Sequence, residues 1–100
     1  MTGQNHLSSI IAKLRTELPT FVDKYHIKKL EVFGSYVRSE QTSDSDLDML
    51  ITFSKLPSFL TFIEIENNLS DLLGVKVDLV MKDSLKPSIR KQIIREAIPV

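Results

Sequence analysis

The sequence contains no cysteine and no tryptophan, and it has only 3 Gly and 4 Pro in 100 residues. Without cysteine, disulfide bonds and thiolate metal sites are excluded, so the fold must be stabilised by packing, a ligand or a partner. The absence of cysteine also fits a reducing compartment, where disulfides are rare. No unbroken apolar segment has the character of a signal peptide or a membrane-spanning helix. We therefore expect a cytoplasmic protein without membrane contact.

The chain also lacks an excess of charge of either sign, because 13 Lys and Arg residues balance 13 Asp and Glu residues. A protein that binds long nucleic acids by itself usually presents a basic stripe with aromatic side chains for base stacking. With 2 Tyr and no surplus of basic residues, the sequence predicts no autonomous binding of nucleic acid. Its acidic residues are concentrated instead, with eight acids against two bases over residues 40–78.

The length of 100 residues predicts one domain, residues 1–100, and 42% apolar residues are typical of a globular chain. Helical spacing of apolar residues, with Pro and Gly at the ends, predicts about four helices. The predicted helices cover residues 5–18, 19–25 and 58–73, and a last helix opens at Pro87. Pro19 ends the first of these helices and Gly74 ends the third. Short β-prone runs predict strands at residues 30–33, 47–53 and 75–80. This order predicts an α+β fold with a small sheet of about three strands.

The helix predicted over residues 58–73 has a wider apolar surface than one sheet face requires. At 100° per residue, its apolar side chains span roughly 240° of the helix. These side chains are Phe59, Leu60, Phe62, Ile63, Ile65, Leu69, Leu72 and Leu73. The sequence therefore predicts that part of this helix is covered by something other than the sheet.

The most informative segment is the acidic run Ser43-Asp44-Ser45-Asp46-Leu47-Asp48 at the start of the second predicted strand. Side chains two apart on a strand point the same way, so Asp46 and Asp48 share a face while Leu47 lies on the other. Neighbouring carboxylates repel unless a cation neutralises them, and hard oxygen ligands favour Mg²⁺ or Mn²⁺. For this segment alone, the alternative is an ordinary turn in which Asp and Ser bond nearby backbone amides.

A glycine and a serine upstream form a candidate phosphate-binding turn. Gly34 and Ser35 follow the first predicted strand, where backbone N–H groups, a hydroxyl and close backbone approach can meet a phosphate. Taken alone, such a pair is more often an ordinary turn. Followed by Asp46 and Asp48 at the same edge of the predicted sheet, it indicates a phosphate site beside a metal site.

A third acid lies in the last predicted strand. Asp78 interrupts an apolar run, where an unpaired buried carboxylate is unfavourable. If its strand lies beside the second one, Asp78 can join Asp46 and Asp48 around two metal ions about 4 Å apart. The alternatives for this residue are an edge position or a buried ion pair.

In combination, these motifs resemble the nucleotidyltransferase superfamily of DNA polymerase β, poly(A) polymerases and kanamycin nucleotidyltransferase. In this sequence Gly34-Ser35 is followed, after ten residues, by Asp46-Leu47-Asp48, and Asp78 lies in a later Val-Asp-Leu-Val strand. The resemblance rests on this combination. The length and the Gly-Ser-Tyr-x-Arg motif are similar to those of the minimal nucleotidyltransferases (MNT), which are antitoxins encoded beside HEPN ribonuclease toxins. The likeness covers about residues 7–98. It implies a polymerase β-like fold in which about four helices pack on a small mixed sheet.

The resemblance also implies roles for the acidic residues. Asp46 and Asp48 would bind both of two Mg²⁺ ions, with Mn²⁺ as the alternative metal. Asp78 would bind the catalytic metal and help deprotonate the acceptor hydroxyl. These three residues would therefore be both the catalytic residues and the metal ligands.

For the nucleotide, the resemblance implies that Gly34 and Ser35 hold the triphosphate of ATP. Arg38 matches the family's usual arginine, which would offset charge near the phosphates or pair with an acid of the site. The family often has glycine after this arginine, and here Ser39 follows.

The implied reaction is in-line attack by a hydroxyl on the α-phosphate of ATP, which transfers AMP and releases pyrophosphate. In the resembling family the acceptor is a tyrosine hydroxyl of the HEPN toxin, which implies a hetero-oligomer with that cognate toxin as partner. The alternative is a nucleotidyltransferase fold with weak or no catalysis that neutralises the toxin by binding to it. Transfer to an antibiotic is less favoured, because such enzymes usually have an added domain that shapes the acceptor pocket.

Overall fold

The computed structural model describes residues 6–100, which form an α+β fold with three helices and one four-stranded sheet. The helices are α1 (His6–Tyr25), α2 (Phe59–Leu73) and α3 (Pro87–Glu96), and a 3₁₀ turn covers Lys82–Ser84. The strands are β1 (Ile27–Phe33), β2 (Leu47–Phe53), β3 (Val77–Met81) and β4 (Ile98–Pro99). Their order is β3-β2-β1-β4, with β2 parallel to β3 and the other neighbours antiparallel. The α+β class and the mixed sheet are confirmed.

Helix α1 continues through Pro19, so the predicted break at that residue is wrong. Proline lacks an N–H group and costs about 3 kcal/mol inside a helix. The apolar stripe nevertheless runs past it, from Leu14 to Val22 and Tyr25, and packs on the core. Burial of this stripe outweighs the lost hydrogen bond. The predicted start at Asn5 lies outside the described residues.

Helix α2 begins one residue after the predicted start and ends at the predicted residue, because both of its caps are encoded locally. The Ser58 side chain accepts a hydrogen bond from the backbone N–H of Thr61 at 3.2 Å. Gly74 adopts the left-handed conformation at φ +70°, and its N–H donates to the Ser70 carbonyl at 2.9 Å. A hydroxyl at the N-cap and a glycine at the C-terminus are the standard local signals for helix ends.

Strand β2 has the predicted bounds, whereas the other strands differ from the sequence prediction. Strand β1 begins at Ile27 and β3 at Val77, whereas the predicted strands began at residues 30 and 75. The fourth strand was not predicted. Its two residues, Ile98 and Pro99, pair with β1, and a strand of this length shows no alternating pattern in the sequence.

The sheet has two faces with different neighbours. The face that carries Leu47, Met49 and Ile51, here called the core face, packs against α1 and α2. Alternation along β2 places Asp48 and Leu50 on the opposite face, which we call the site face. Within residues 6–100, no helix is both long enough and apolar enough to cross a membrane.

Candidate active site

Two aspartates on the site face lie directly opposite each other. Asp48 on β2 pairs in register with Asp78 on β3, and neighbouring strands are about 4.8 Å apart. Asp48 is also the register partner of Phe33, the last residue of β1, so Gly34 leaves the sheet beside it. The structure therefore brings the predicted carboxylate pair and the glycine-serine turn to one edge of the sheet.

Gly34 is required here by both its conformation and its surroundings. Its φ is +83°, in the left-handed region that favours glycine, and a Cβ atom at this position would collide with Asp48 Oδ2. The chain then forms a helical turn, in which the N–H groups of Val37 and Arg38 both donate to the Gly34 carbonyl. This close packing holds the turn directly against the Asp48 carboxylate.

The Asp48 carboxylate lies in an unfavourable environment for negative charge. Burial, and then repulsion from Asp78 and Asp46, raise the pKa of Asp48 to about 6. Arg38 acts in the opposite direction and lowers it. The electrostatics thus match the sequence expectation of acids that repel each other at the start of β2.

The other two aspartates are placed differently from Asp48. Asp46 lies just before β2, and its Oδ2 is 4.0 Å from the Nζ atom of Lys76. Asp78 is exposed, so the premise that its strand buries an unpaired carboxylate is wrong. Its neighbour Val77 is buried, because alternation turns that side chain to the core face and Asp78 to the site face.

The chemistry of these donors fits a divalent cation, although the side chains are not arranged as a closed cage. Within the described part of the chain, no three His, Asp or Glu side chains converge tightly enough to hold a metal ion. The opposed Asp48 and Asp78 nevertheless offer hard oxygen ligands, and their repulsion is what a bound Mg²⁺ would relieve. Asp46 is close enough to Asp48 for its charge to raise the pKa of that carboxyl.

Arg38 is fixed by two acids, one of which the sequence analysis missed. Its Nε donates to Glu40 Oε1 at 2.9 Å, and its Nη1 donates to both carboxylate oxygens of Glu96 at 3.0 Å. Hydrogen bonds to Glu40 and then to Glu96 raise the pKa of the arginine. Glu96 Oε2 also accepts the N–H of Gly34 at 2.8 Å. The only local signal for Glu96 is an acid as the last residue of a predicted helix, where the helix dipole disfavours it.

The two serines of the turn have different geometries. Among the described residues, the Ser35 hydroxyl has no hydrogen-bond partner, which leaves it available to a ligand. Ser39 has a φ of +59°, in the left-handed region. This conformation explains why a glycine suits the position after Arg38.

An exposed apolar patch lies where α2 begins, beyond the C-terminal end of β2, whereas Asp48 lies at the start of that strand. Leu56, Phe59 and Leu60, here called the α2 patch, are 70%, 76% and 77% exposed. Leu56 and Phe59 line a groove of about 490 Å³. The exposed patch confirms that the apolar surface of α2 extends beyond what the sheet covers.

Comparison with known proteins agrees with this geometry. The family model described as "Nucleotidyltransferase domain" matches residues 11–100. The protein adenylyltransferase MntA of Thermococcus cleftensis is 46% identical over 100 residues, which are 100% of this chain and 98% of that protein. A solved structure described as a minimal nucleotidyltransferase is 34% identical, with a TM-score of 0.75 over 100% of this chain and 97% of its own.

A more distant structure shares the fold alone. It belongs to the complex of the tri-AMPylated HEPN toxin of Shewanella oneidensis with MNT antitoxin. The match has 21% identity and a TM-score of 0.59, and it covers 98% of this chain and 71% of the other.

Proposed function

Because the chain belongs to the nucleotidyltransferase domain family, we propose that it transfers AMP from ATP to a hydroxyl group of a partner protein, with Mg²⁺ as cofactor. The observation that carries this proposal is the pairing of Asp48 with Asp78 beside the turn that begins at Gly34. The name of the Thermococcus relative, a protein adenylyltransferase, supports AMP as the transferred group and a protein as the acceptor.

In the proposed reaction, the acceptor oxygen forms a bond to the α-phosphorus of ATP while the bond to the β-phosphate oxygen breaks. Asp78, the most exposed of the three aspartates, accepts the hydroxyl proton. Asp46 and Asp48 would hold the metal ions, with Asp78 as a further ligand. Bound Mg²⁺ would neutralise phosphate charge, stabilise the leaving pyrophosphate and make the hydroxyl more acidic.

The phosphates would be held by the turn that follows β1. The Ser35 hydroxyl and the guanidinium of Arg38 would supply donors and positive charge. The backbone N–H of Gly34 already donates to Glu96, so the contribution of Gly34 is the close approach of backbone to Asp48. A triphosphate held by this turn would lie next to the carboxylates.

The partner that we propose is a cognate HEPN ribonuclease toxin, with a tyrosine hydroxyl as acceptor and a hetero-oligomer as the functional assembly. The fold shared with the MNT chain of the toxin complex supports this choice. The α2 patch supplies an exposed apolar surface that is available to a partner protein. Phe59→Glu, at a side chain that is 76% exposed, should therefore weaken the complex without unfolding the protein.

The test is transfer of label from α-³²P-ATP, with Mg²⁺, to the purified product of the neighbouring reading frame. Wild type should label the partner, and Asp46→Asn should abolish the label. Asp44→Asn is the matched control, because Asp44 lies in the same loop but is exposed and outside the carboxylate pair. A stable complex that takes no label from any nucleoside triphosphate would contradict the proposal.

A second candidate function is neutralisation by binding alone. Two observations favour it, namely the large exposed α2 patch and the failure of the acids to converge into a metal cage within residues 7–100. The two functions separate with Asp48→Asn. Full toxin neutralisation by this variant would favour binding alone, whereas its loss with the complex intact would favour catalysis.

A further inference from the structure

Glu96 holds together three parts of the site that are far apart in the sequence. It is the last residue of α3, and its carboxylate accepts the N–H of Gly34 at 2.8 Å and two hydrogen bonds from Arg38 at 3.0 Å. Its side chain is only 19% exposed. A negative charge at a helix C-terminus is disfavoured by the helix dipole, so its contacts with the turn must offset that penalty.

These contacts leave one edge of the Arg38 guanidinium available. Glu40 takes Nε and Glu96 takes Nη1, while among the described residues Nη2 has no hydrogen-bond partner. Arg38 is also close enough to Asp48 for the two charges to interact. Without Glu96, Arg38 would be held by Glu40 alone, and the turn would lose its anchor at Gly34.

We propose that Glu96 is a positioning residue for nucleotide binding, which fixes the Gly34 backbone and aims the free edge of Arg38 at the β- and γ-phosphates of ATP. This inference rests on the proposed function, because it requires that the turn bind the triphosphate. Glu96 itself touches no substrate in this arrangement. It acts through the two residues that it holds, so its effect depends on the phosphates beyond the α-position.

The test compares the binding of ATP, ADP and AMP, each with Mg²⁺, by calorimetry. Loss of a charge-assisted contact predicts that Glu96→Gln weakens ATP binding about tenfold. The KM for ATP in the labelling reaction should rise by about the same factor with little change in kcat. AMP binding should stay unchanged, because AMP lacks the phosphates that Arg38 would meet. Glu40→Gln is the matched control, since Glu40 holds the same arginine but is 63% exposed and does not contact Gly34.

Any other outcome of the binding experiment would contradict the inference. Tighter ATP binding by Glu96→Gln would mean that Glu96 competes with phosphate for these donors. Equal losses for ATP and AMP would mean a general structural role. If wild type binds ATP and the variant binds it equally well, the inference fails while the proposed function stands. If wild type binds no ATP, both fail.

Glu96→Asp is a second variant that tests the same inference if Glu96→Gln does not fold. Aspartate retains the charge, but its shorter side chain cannot reach Gly34 and Arg38 together. The inference predicts a loss of ATP affinity, with AMP affinity unchanged. Wild-type affinity for ATP in a folded Asp variant would overturn it.

Discussion

On the core face of the sheet, β2 presents Leu47, Met49 and Ile51, none more than 1% exposed, whereas the site face of the same strand presents the Asp48 carboxylate with its raised pKa. The two faces are built from alternating residues of one segment. Every side chain on the first face gains stability by burial. On the site face, the Asp48 carboxylate is partly buried among other acids. This arrangement destabilises the protein without ligand and favours ligand binding.

Glu31 shows that the site face tolerates buried charge where a base lies close. It is 5% exposed on β1 and faces the same side as Leu50, its register partner. Lys82 Nζ lies 3.5 Å from one carboxylate oxygen and Lys29 Nζ lies 3.7 Å from the other. Among the described residues, no base forms a salt bridge with Asp48, so its negative charge is not balanced as that of Glu31 is.

The largest expected effect on stability comes from shortening a buried side chain on the core face. Met49→Ala removes a side chain that is 0% exposed and should lower the free energy of unfolding by about 3 kcal/mol. The melting temperature should fall by more than about 10 °C, as measured by thermal denaturation.

Thr52→Ala is the matched control on the same strand, because Thr52 faces the other side and is only partly buried. It should change the free energy of unfolding by less than about 0.5 kcal/mol. Similar losses for both variants would contradict the division of the sheet into a core face and a site face.

Asp48→Asn is expected to raise the free energy of unfolding of the free protein, whereas Met49→Ala lowers it. The pKa of Asp48 is raised to about 6, so the folded state binds a proton more tightly than the unfolded chain does. The stability of wild type should therefore fall as pH rises from about 4 to about 6, and the penalty is complete above that range. Asparagine does not titrate. At pH 7 the variant should be more stable by about 1 kcal/mol, after solvent screening is taken into account.

Thermal melts from pH 4 to pH 7 without metal measure this difference, with Asp44→Asn as the control for a neighbouring exposed acid. Mg²⁺ should raise the melting temperature of wild type more than that of Asp48→Asn, because the cation relieves the same repulsion. A variant that is less stable than wild type at pH 7 would show that the Asp48 carboxylate is satisfied in the free protein.

The features that the sequence predicted correctly are those encoded by near neighbours. The bounds of α2 follow from the caps at Ser58 and Gly74, and alternation alone places Asp48 on the face opposite Leu47. The meeting of Asp48 with Asp78 needed one further assumption, that β2 and β3 are neighbours, and the parallel pairing confirms it.

The features that the sequence did not predict depend on distant contacts. Helix α1 passes Pro19 because a buried stripe stabilises both halves. Glu96 reaches Gly34 across 62 residues, and β4 exists only through its pairing with β1. No local pattern reports such contacts, so tertiary packing decided each of these cases.

The smallest expected effect comes from Ser39, in the turn beside the site face. Its φ of +59° is unfavourable for a residue with a side chain, by roughly 1–2 kcal/mol. Glycine would remove that strain but would also make the unfolded chain more flexible, which offsets part of the gain. Ser39→Gly should therefore stabilise the protein by about 0.5 kcal/mol and raise the melting temperature by about 2–4 °C. Ser43→Gly, in the same loop at a position without positive φ, should lower it instead. Equal decreases for both variants would mean that the turn does not strain Ser39.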